Sequence, residues 1–420
     1  MPAPPAAVPP VPPAPPVSPV PPAQPRFDFR FADGLRGIAA LVVCVFHAYL
    51  ATGPAGATTN DLPHLFGYLA LGDMAVPVFI VLSGFVLMLP VARTADLRLR
   101  GGLRGFLRRR ARRILPPYYV AVGAFLVLVL SVPLLRQRHG TQWDSKVPVS
   151  WGDVLSHLFV VHNFGRSTEI AIDPPAWSVA TEWQLYLLLP LLLLPLWRTF
   201  GARVTVLVAL AAGIAVHHWF PALDSVHPWY LGLFAMGMAA AWVSARGVRV
   251  PALGWVAAGS LAVVGAGLVH WLRLVNHLQV LSETALGAAL ALLLAWLARR
   301  SLAGRPTLVH RALESRLPVW LGLWSFSMYL VHDPLLNLGN LLLLRVPMGI
   351  GTRFALELLF VLPLALAIAY LFHRVVERRF LTSHQRATEA AVHSEDTGEP
   401  VLSDRPRRAV VLPAADITVR

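Results

Sequence analysis

Arg36 and His47 stand eleven residues apart in an otherwise apolar stretch, DGLRGIAALVVCVFHAYLA. In a helix that separation is about 1100°, three turns plus roughly 20°, so both side chains share one face, roughly 16 Å apart along the axis. Ionisable groups in so apolar a segment are costly and usually face a cavity or a partner. An imidazole is the side chain best suited to take and return a proton near neutral pH. A carboxylate at matching depth would fix its tautomer, and Glu182, within PAWSVATEWQLYLLLP, is the expected partner, with Tyr186 one turn further on the same face. His332, in WSFSMYLVHDP, and Glu283 are expected near the same outer level. Plainer readings stand beside this one. Arg36 can snorkel to headgroups, His47 can be a packed histidine, and Glu182 can be held within its own helix. A transporter or lipid-moving protein would use the same residues as a proton relay. Spacing alone leaves these alternatives open.

A second group of chemical residues lies in GGLRGFLRRRARRILPPYY, where Arg108, Arg109, Arg112 and Arg113 crowd one short segment. Such a cluster sets topology and binds anionic lipid. It is also denser than topology requires, and arginines grip phosphates in a bidentate manner, so a nucleotide-like ligand is expected there, with Arg36 contributing. Ser83 and Gly84, in VPVFIVLSGFVL, allow close helix approach. Pro77 is expected to kink that helix and free a carbonyl.

The elements that must carry these residues follow from composition. The chain has 420 residues, 56% hydrophobic and only 14% charged. Its apolar runs reach spanning length, which predicts an all-α integral membrane protein. Ten spans are expected, near 34–51, 73–91, 114–135, 177–197, 204–219, 229–245, 252–271, 280–298, 317–338 and 353–373. They would surround a polar pore. The net charge of +14 resides in short loops between them, a positive-inside pattern rather than a nucleic-acid face. The arginine-rich loops at 92–113, 198–203, 246–251 and 299–316 fall on one side, with both termini, and that side is assigned to the cytoplasm. Residues 1–29 are a proline-rich arm expected to be disordered and, lacking a basic start and an apolar stretch, not a signal peptide. Residues 30–380 are the expected transmembrane domain, and 381–420 a polar tail without a separate soluble module. The single cysteine, Cys44, excludes an intrachain disulfide.

In this order the motifs resemble the membrane-bound acyltransferase-3 family, bacterial O-acyltransferases that modify glycans, lipids and some antibiotics. Arg36 and His47 resemble that family's opening motif, and Ser83, Gly84 and Phe85 its second-span signature. Arg109, Arg112 and Arg113 are similar to its arginine motif, and Trp177, Ser178, Glu182 and Tyr186 to its tryptophan–serine–glutamate signature. Ser327, Tyr329 and His332 resemble a late serine–tyrosine–histidine stretch. Thr181 departs, where the family often carries a second acidic residue. The resemblance implies an O-acyltransferase of the bacterial cytoplasmic membrane. Acyl-CoA, most simply acetyl-CoA, would be its donor and no metal would be needed. The acceptor would be a hydroxyl of a glycan, a lipid or a secondary metabolite. It implies His47 and Glu182 as catalytic residues, with Arg36, Arg109, Arg112 and Arg113 on the donor. Ser83, Trp177, Tyr186 and His332 would line the substrate site.

Overall fold

The computed structural model describes residues 29–55, 62, 64–250, 252–271, 279–381, 385–386 and 388–390. The proline-rich arm up to residue 28 and the tail beyond residue 390 lie outside the described residues, as does the link 272–278. Among the described residues there are helices and no strand. In chain order they are α1 (Arg30–Ala51), α2 (Ala75–Ala92), α3 (Gly102–Ser131), α4 (Trp151–Leu158), α5 (Arg166–Glu169), α6 (Trp177–Leu188), α7 (Leu194–Trp219) and α8 (Tyr230–Ala245). They continue with α9 (Leu253–Trp271), α10 (Gln279–Leu302), α11 (Leu308–Leu313), α12 (Arg316–Leu323), α13 (Ser325–Leu343), α14 (Ile350–Leu356) and α15 (Leu362–Val375).

Six helical runs are long and apolar enough to cross a membrane by length and composition: Arg30–Ala51, Tyr68–Ala92, Gly102–Ser131, Pro174–Trp219, Gln279–Leu302 and Ile350–Val375. Each of the ten apolar stretches read from the sequence is helical, but their boundaries differ. The third begins near Gly102 rather than residue 114, because Gly101, at φ 71°, starts a helix that nothing interrupts until Ser131. The arginine cluster is thus the first three turns of α3, not a loop. The fourth and fifth stretches form one 46-residue run. It bends at Gly201, whose φ of 77° is open to glycine without a Cβ penalty. The ninth breaks at Trp324, between α12 and α13. Pro77 lies within the spanning run Tyr68–Ala92, in the first turn of α2, just after a 3-10 helix (His64–Met74) passes into the α-helix.

Helix α1 packs against α2, α12 and α13. A Cβ on Gly37 would lie 2.2 Å from the Pro318 carbonyl oxygen, and one on Gly322 2.0 Å from that of Asp33, so α1 and α12 touch through bare backbone. Gly84 and Gly237 do the same for α2 and α8, at 2.1 Å from the Phe234 oxygen and 2.0 Å from the Val81 oxygen. Between helices in lipid, dispersion contacts drive association, so small residues at the crossing hold the bundle together. Ala40, Cys44 and Ala48 of α1 enter one core with Trp324 and Met328 and with Ala365 and Ala369 of α15. Cys44 is a small packing residue there, wholly buried. The exposed positions of α1 are Ile38 and Val42. Arg36 and His47 lie about half a turn away around the axis, toward the protein.

Candidate active site

His47 is brought to α13. Its Nδ1 lies 3.0 Å from the carbonyl oxygen of Val43 and 3.2 Å from Nε2 of His332. The rings meet edge to face at 4.9 Å. His332 is fully buried, and its Nδ1 lies 2.9 Å from the carbonyl oxygens of both Met328 and Tyr329. Carbonyls only accept, so Nδ1 of each ring is assigned the proton. Neutral His332 therefore presents a bare Nε2, to which His47 Nδ1–H also points. The remaining nitrogen, Nε2 of His47, is left unprotonated with its lone pair available. Helix periodicity placed both histidines at one level; it did not reveal that they touch.

Glu182 is not the partner of His47. Its Oε1 accepts from the hydroxyls of Ser83 on α2 and Tyr186 on α6. The expected histidine–carboxylate pair is replaced by two imidazoles, because α2 rather than α1 faces the side of α6 that carries Glu182. Half-buried, Glu182 ties two helices together. Tyr186 is buried and lies within electrostatic range of Arg110, toward the arginine-bearing end of α3. Tyr329 joins this cluster to the histidines. Its hydroxyl donates to the Pro175 carbonyl oxygen at 2.8 Å and so accepts from Ser178, 2.6 Å away. Its ring lies 5.8 Å from that of His332. Trp177, half-buried, stacks on His227 at 4.0 Å. Glu283 belongs to another cluster, accepting from Trp229 Nε1 at 2.6 Å and Gln279 at 3.0 Å.

The arginines divide into engaged and open groups. Arg36 is paired with Asp33 of its own helix at 2.9 Å. Arg113 is committed to Glu377, which is fully buried, at 2.5 Å. Glu377 also accepts from Ser327 and holds His373 at 2.9 Å. Burial would raise the Glu377 carboxyl, but Arg113 and His373 outweigh it and hold it down at about 2. Ser327 thus serves this ion-pair knot at the end of α15. Arg109 donates to the Arg100 carbonyl oxygen at 2.5 Å and is otherwise exposed, as is Arg112. Beside Glu377, Arg374, Arg378, Arg379 and Arg386 line a cavity of about 390 Å³, with Glu389 on its wall. This second arginine group escaped the sequence reading, although HRVVERRF carries its signal in three of the four positions.

Missed too was Lys146, which forms a buried ion pair with Asp333 at 2.5 Å, beside the histidines. Among the described residues no group of three or more His, Cys, Asp or Glu could hold a metal ion.

An all-helical, membrane-type bundle in which two imidazoles from separate helices meet fits a membrane-embedded transferase. The chain belongs to the acyltransferase-3 family: the family model described as an acyltransferase domain matches residues 29–374. Among similar proteins are acyltransferase MdmB of Streptomyces mycarofaciens and a putative membrane-bound transacylase, BcsY, of Komagataeibacter xylinus. The first is 30% identical over 74% of this chain and 79% of the relative. The second is 27% identical over 86% and 85%. The peptidoglycan O-acetyltransferase OatA of Listeria monocytogenes is 27% identical over 39% of this chain, which corresponds to 24% of that longer protein. No solved structure matches.

Proposed function

We propose that the protein moves an acyl group, most simply acetyl, from acyl-CoA to a hydroxyl of a glycan, lipid or secondary metabolite, in the bacterial cytoplasmic membrane. The observation that carries this reading is the bare Nε2 of His47, whose tautomer is set by Val43 and His332. His47 takes the proton of the acceptor O–H as that oxygen attacks the thioester carbonyl. The C–S bond of the tetrahedral intermediate then breaks, and the departing thiolate recovers the proton from His47. In the imidazolium form, Nδ1–H of His47 becomes a stronger, charge-assisted donor to Val43 and His332. To support the developing oxyanion, Ser178, beside the histidines, would turn its hydroxyl hydrogen from Tyr329 to the substrate.

The donor's phosphates would meet the exposed Arg109 and Arg112 and the cavity around Arg374 and Arg379, where Arg378 is already paired with Glu389 at 3.0 Å. Arg36 and Arg113, expected from the sequence to bind them, are held by carboxylates. The polar groups from Arg110 through Tyr186, Glu182 and Ser83 to Tyr329 and the histidines offer a path for the thin pantetheine arm. Ten crossings with both termini in the cytoplasm, as expected from the sequence, would put the arginines on the side where acyl-CoA is made. A transporter reading of the same residues has no observation in its favour beyond their burial.

Detergent-purified protein incubated with acetyl-CoA tests the reading: release of the free thiol and a one-acyl mass gain on extracted glycans or metabolites are expected. A folded protein that does neither refutes it.

A further inference from the structure

Lys146 has no part in the scheme above, yet it is the only lysine among 36 basic residues. It lies in the connection between α3 and α4 and is almost wholly buried. Its Nζ is 2.5 Å from Oδ2 of Asp333, with side chains 1% and 5% exposed. Asp333 directly follows His332, and its Oδ1 accepts from Asn337 Nδ2 at 3.0 Å. Both carboxylate oxygens are therefore engaged. Asp333 and Lys146 each lie within electrostatic range of His47, and Asp333 of His332 as well. Buried Asp173 is a third titratable group within range of the pair.

The connection that delivers Lys146 is built with care. Thr141 bridges to Pro54, and Gln142 donates to the Pro54 carbonyl oxygen at 2.9 Å, just beyond the end of α1. Asp144 accepts from the backbone of His139 at 2.7 Å and of Gly140 at 3.0 Å, and Trp143 is fully buried. The segment is thus stitched to the helix that carries His47. A compact ammonium on a flexible stem enters a tight space that the planar fork of arginine would not. Stability is a poor explanation for the pair, because a buried ion pair often does no better than apolar residues of equal volume.

We propose that Lys146 is a positioning residue for acyl transfer: it holds the Asp333 carboxylate in place and charged beside the His332–His47 pair, where that carboxylate stabilises the positive charge His47 takes up. This rests on the acyl-transfer reading. The proton path is unchanged, running from acceptor hydroxyl to His47 and on to the leaving thiolate. Asp333 and Lys146 neither gain nor lose a proton. With Lys146 in place, Asp333 opposes the imidazolium through space without drawing the proton away from His332.

The double variant K146M/D333N removes both charges together and leaves neither unpaired. Thiol release from acetyl-CoA should fall about 100-fold in kcat, with the donor KM unchanged and a normal melting temperature. A folded double variant with kcat within about threefold of wild type makes the pair a structural peg and overturns the proposal. Should the double variant not be recovered folded, K146A supplies the second measurement. Saturable recovery of kcat by ethylammonium, but not by propanol, supports the charge role; recovery by both alike, or by neither, overturns it. Wild-type protein that releases no thiol removes the acyl-transfer reading itself, which separates the two failures.

Discussion

His332 Nε2 stands 3.2 Å from His47 Nδ1, although the two residues are 285 apart in sequence. Because His332 gives its own Nδ1–H to the Met328 and Tyr329 carbonyls, it can only accept from His47. In the proposed acyl transfer, that one-way bond would present the opposite nitrogen of His47 as the base and let its imidazolium donate to His332. The first prediction follows from the asymmetry. H47A should abolish acyl transfer, whereas H332A should keep His47 but lose its orientation, lowering kcat about 100-fold. Thiol release by the two folded variants checks this, and equal losses would argue for a shared covalent or relay role.

Glu182 is predicted to act as a tie rather than as a proton carrier. E182Q keeps an acceptor oxygen for Ser83 and Tyr186 and should retain the fold and most of the activity. E182A leaves both hydroxyls without their acceptor and should destabilise the protein by about 1–3 kcal/mol. Melting temperature together with turnover separates the cases. An E182Q variant as inactive as H47A would mean that the carboxylate moves a proton.

The Glu377 knot makes stability depend on acid. Its folded-state carboxyl is held at about 2, below the ordinary value near 4.3 for an unfolded glutamate. The contribution is therefore complete above roughly pH 4.3 and is lost as pH falls from there toward 2. Wild type should lose melting temperature over that window, and E377Q should lose less. E377A, which strands the Arg113 charge, should cost about 3–5 kcal/mol at neutral pH.

The arginine-lined cavity beside Glu377 is predicted to serve the nucleotide end of the donor. R378A/R379A and R112A should raise KM for acetyl-CoA about tenfold while leaving KM for acetyl-pantetheine unchanged, since the latter lacks the nucleotide phosphates. Equal effects on both donors would place these arginines outside the donor site. A change only in binding to vesicles of anionic lipid would assign them to the headgroup region.

The sequence alone determined the class of protein. Apolar runs of spanning length, arginines concentrated in the segments between them, and ordered motifs around Arg36, His47, Ser83 and Glu182 were sufficient for an all-helical acyltransferase. Those signals are local: hydropathy and helical period depend only on neighbours along the chain. Partner choice was decided in three dimensions. His47 was legible as an imidazole within an apolar helix, but its bond to His332 rather than Glu182 depends on α1 packing against α13 while α6 turns Glu182 toward α2. The same holds for Arg36 and Arg113, whose charges looked available until Asp33 and Glu377 were found against them. Lys146, in a connection that carried no signal in the sequence, is buried against Asp333 where the chain around Thr141 and Gln142 is pinned to Pro54. Periodicity reports which face of a helix a residue occupies. Which helix stands opposite is set by close backbone crossings, such as Gly37 on Gly322 and Gly84 on Phe234, between residues far apart in sequence.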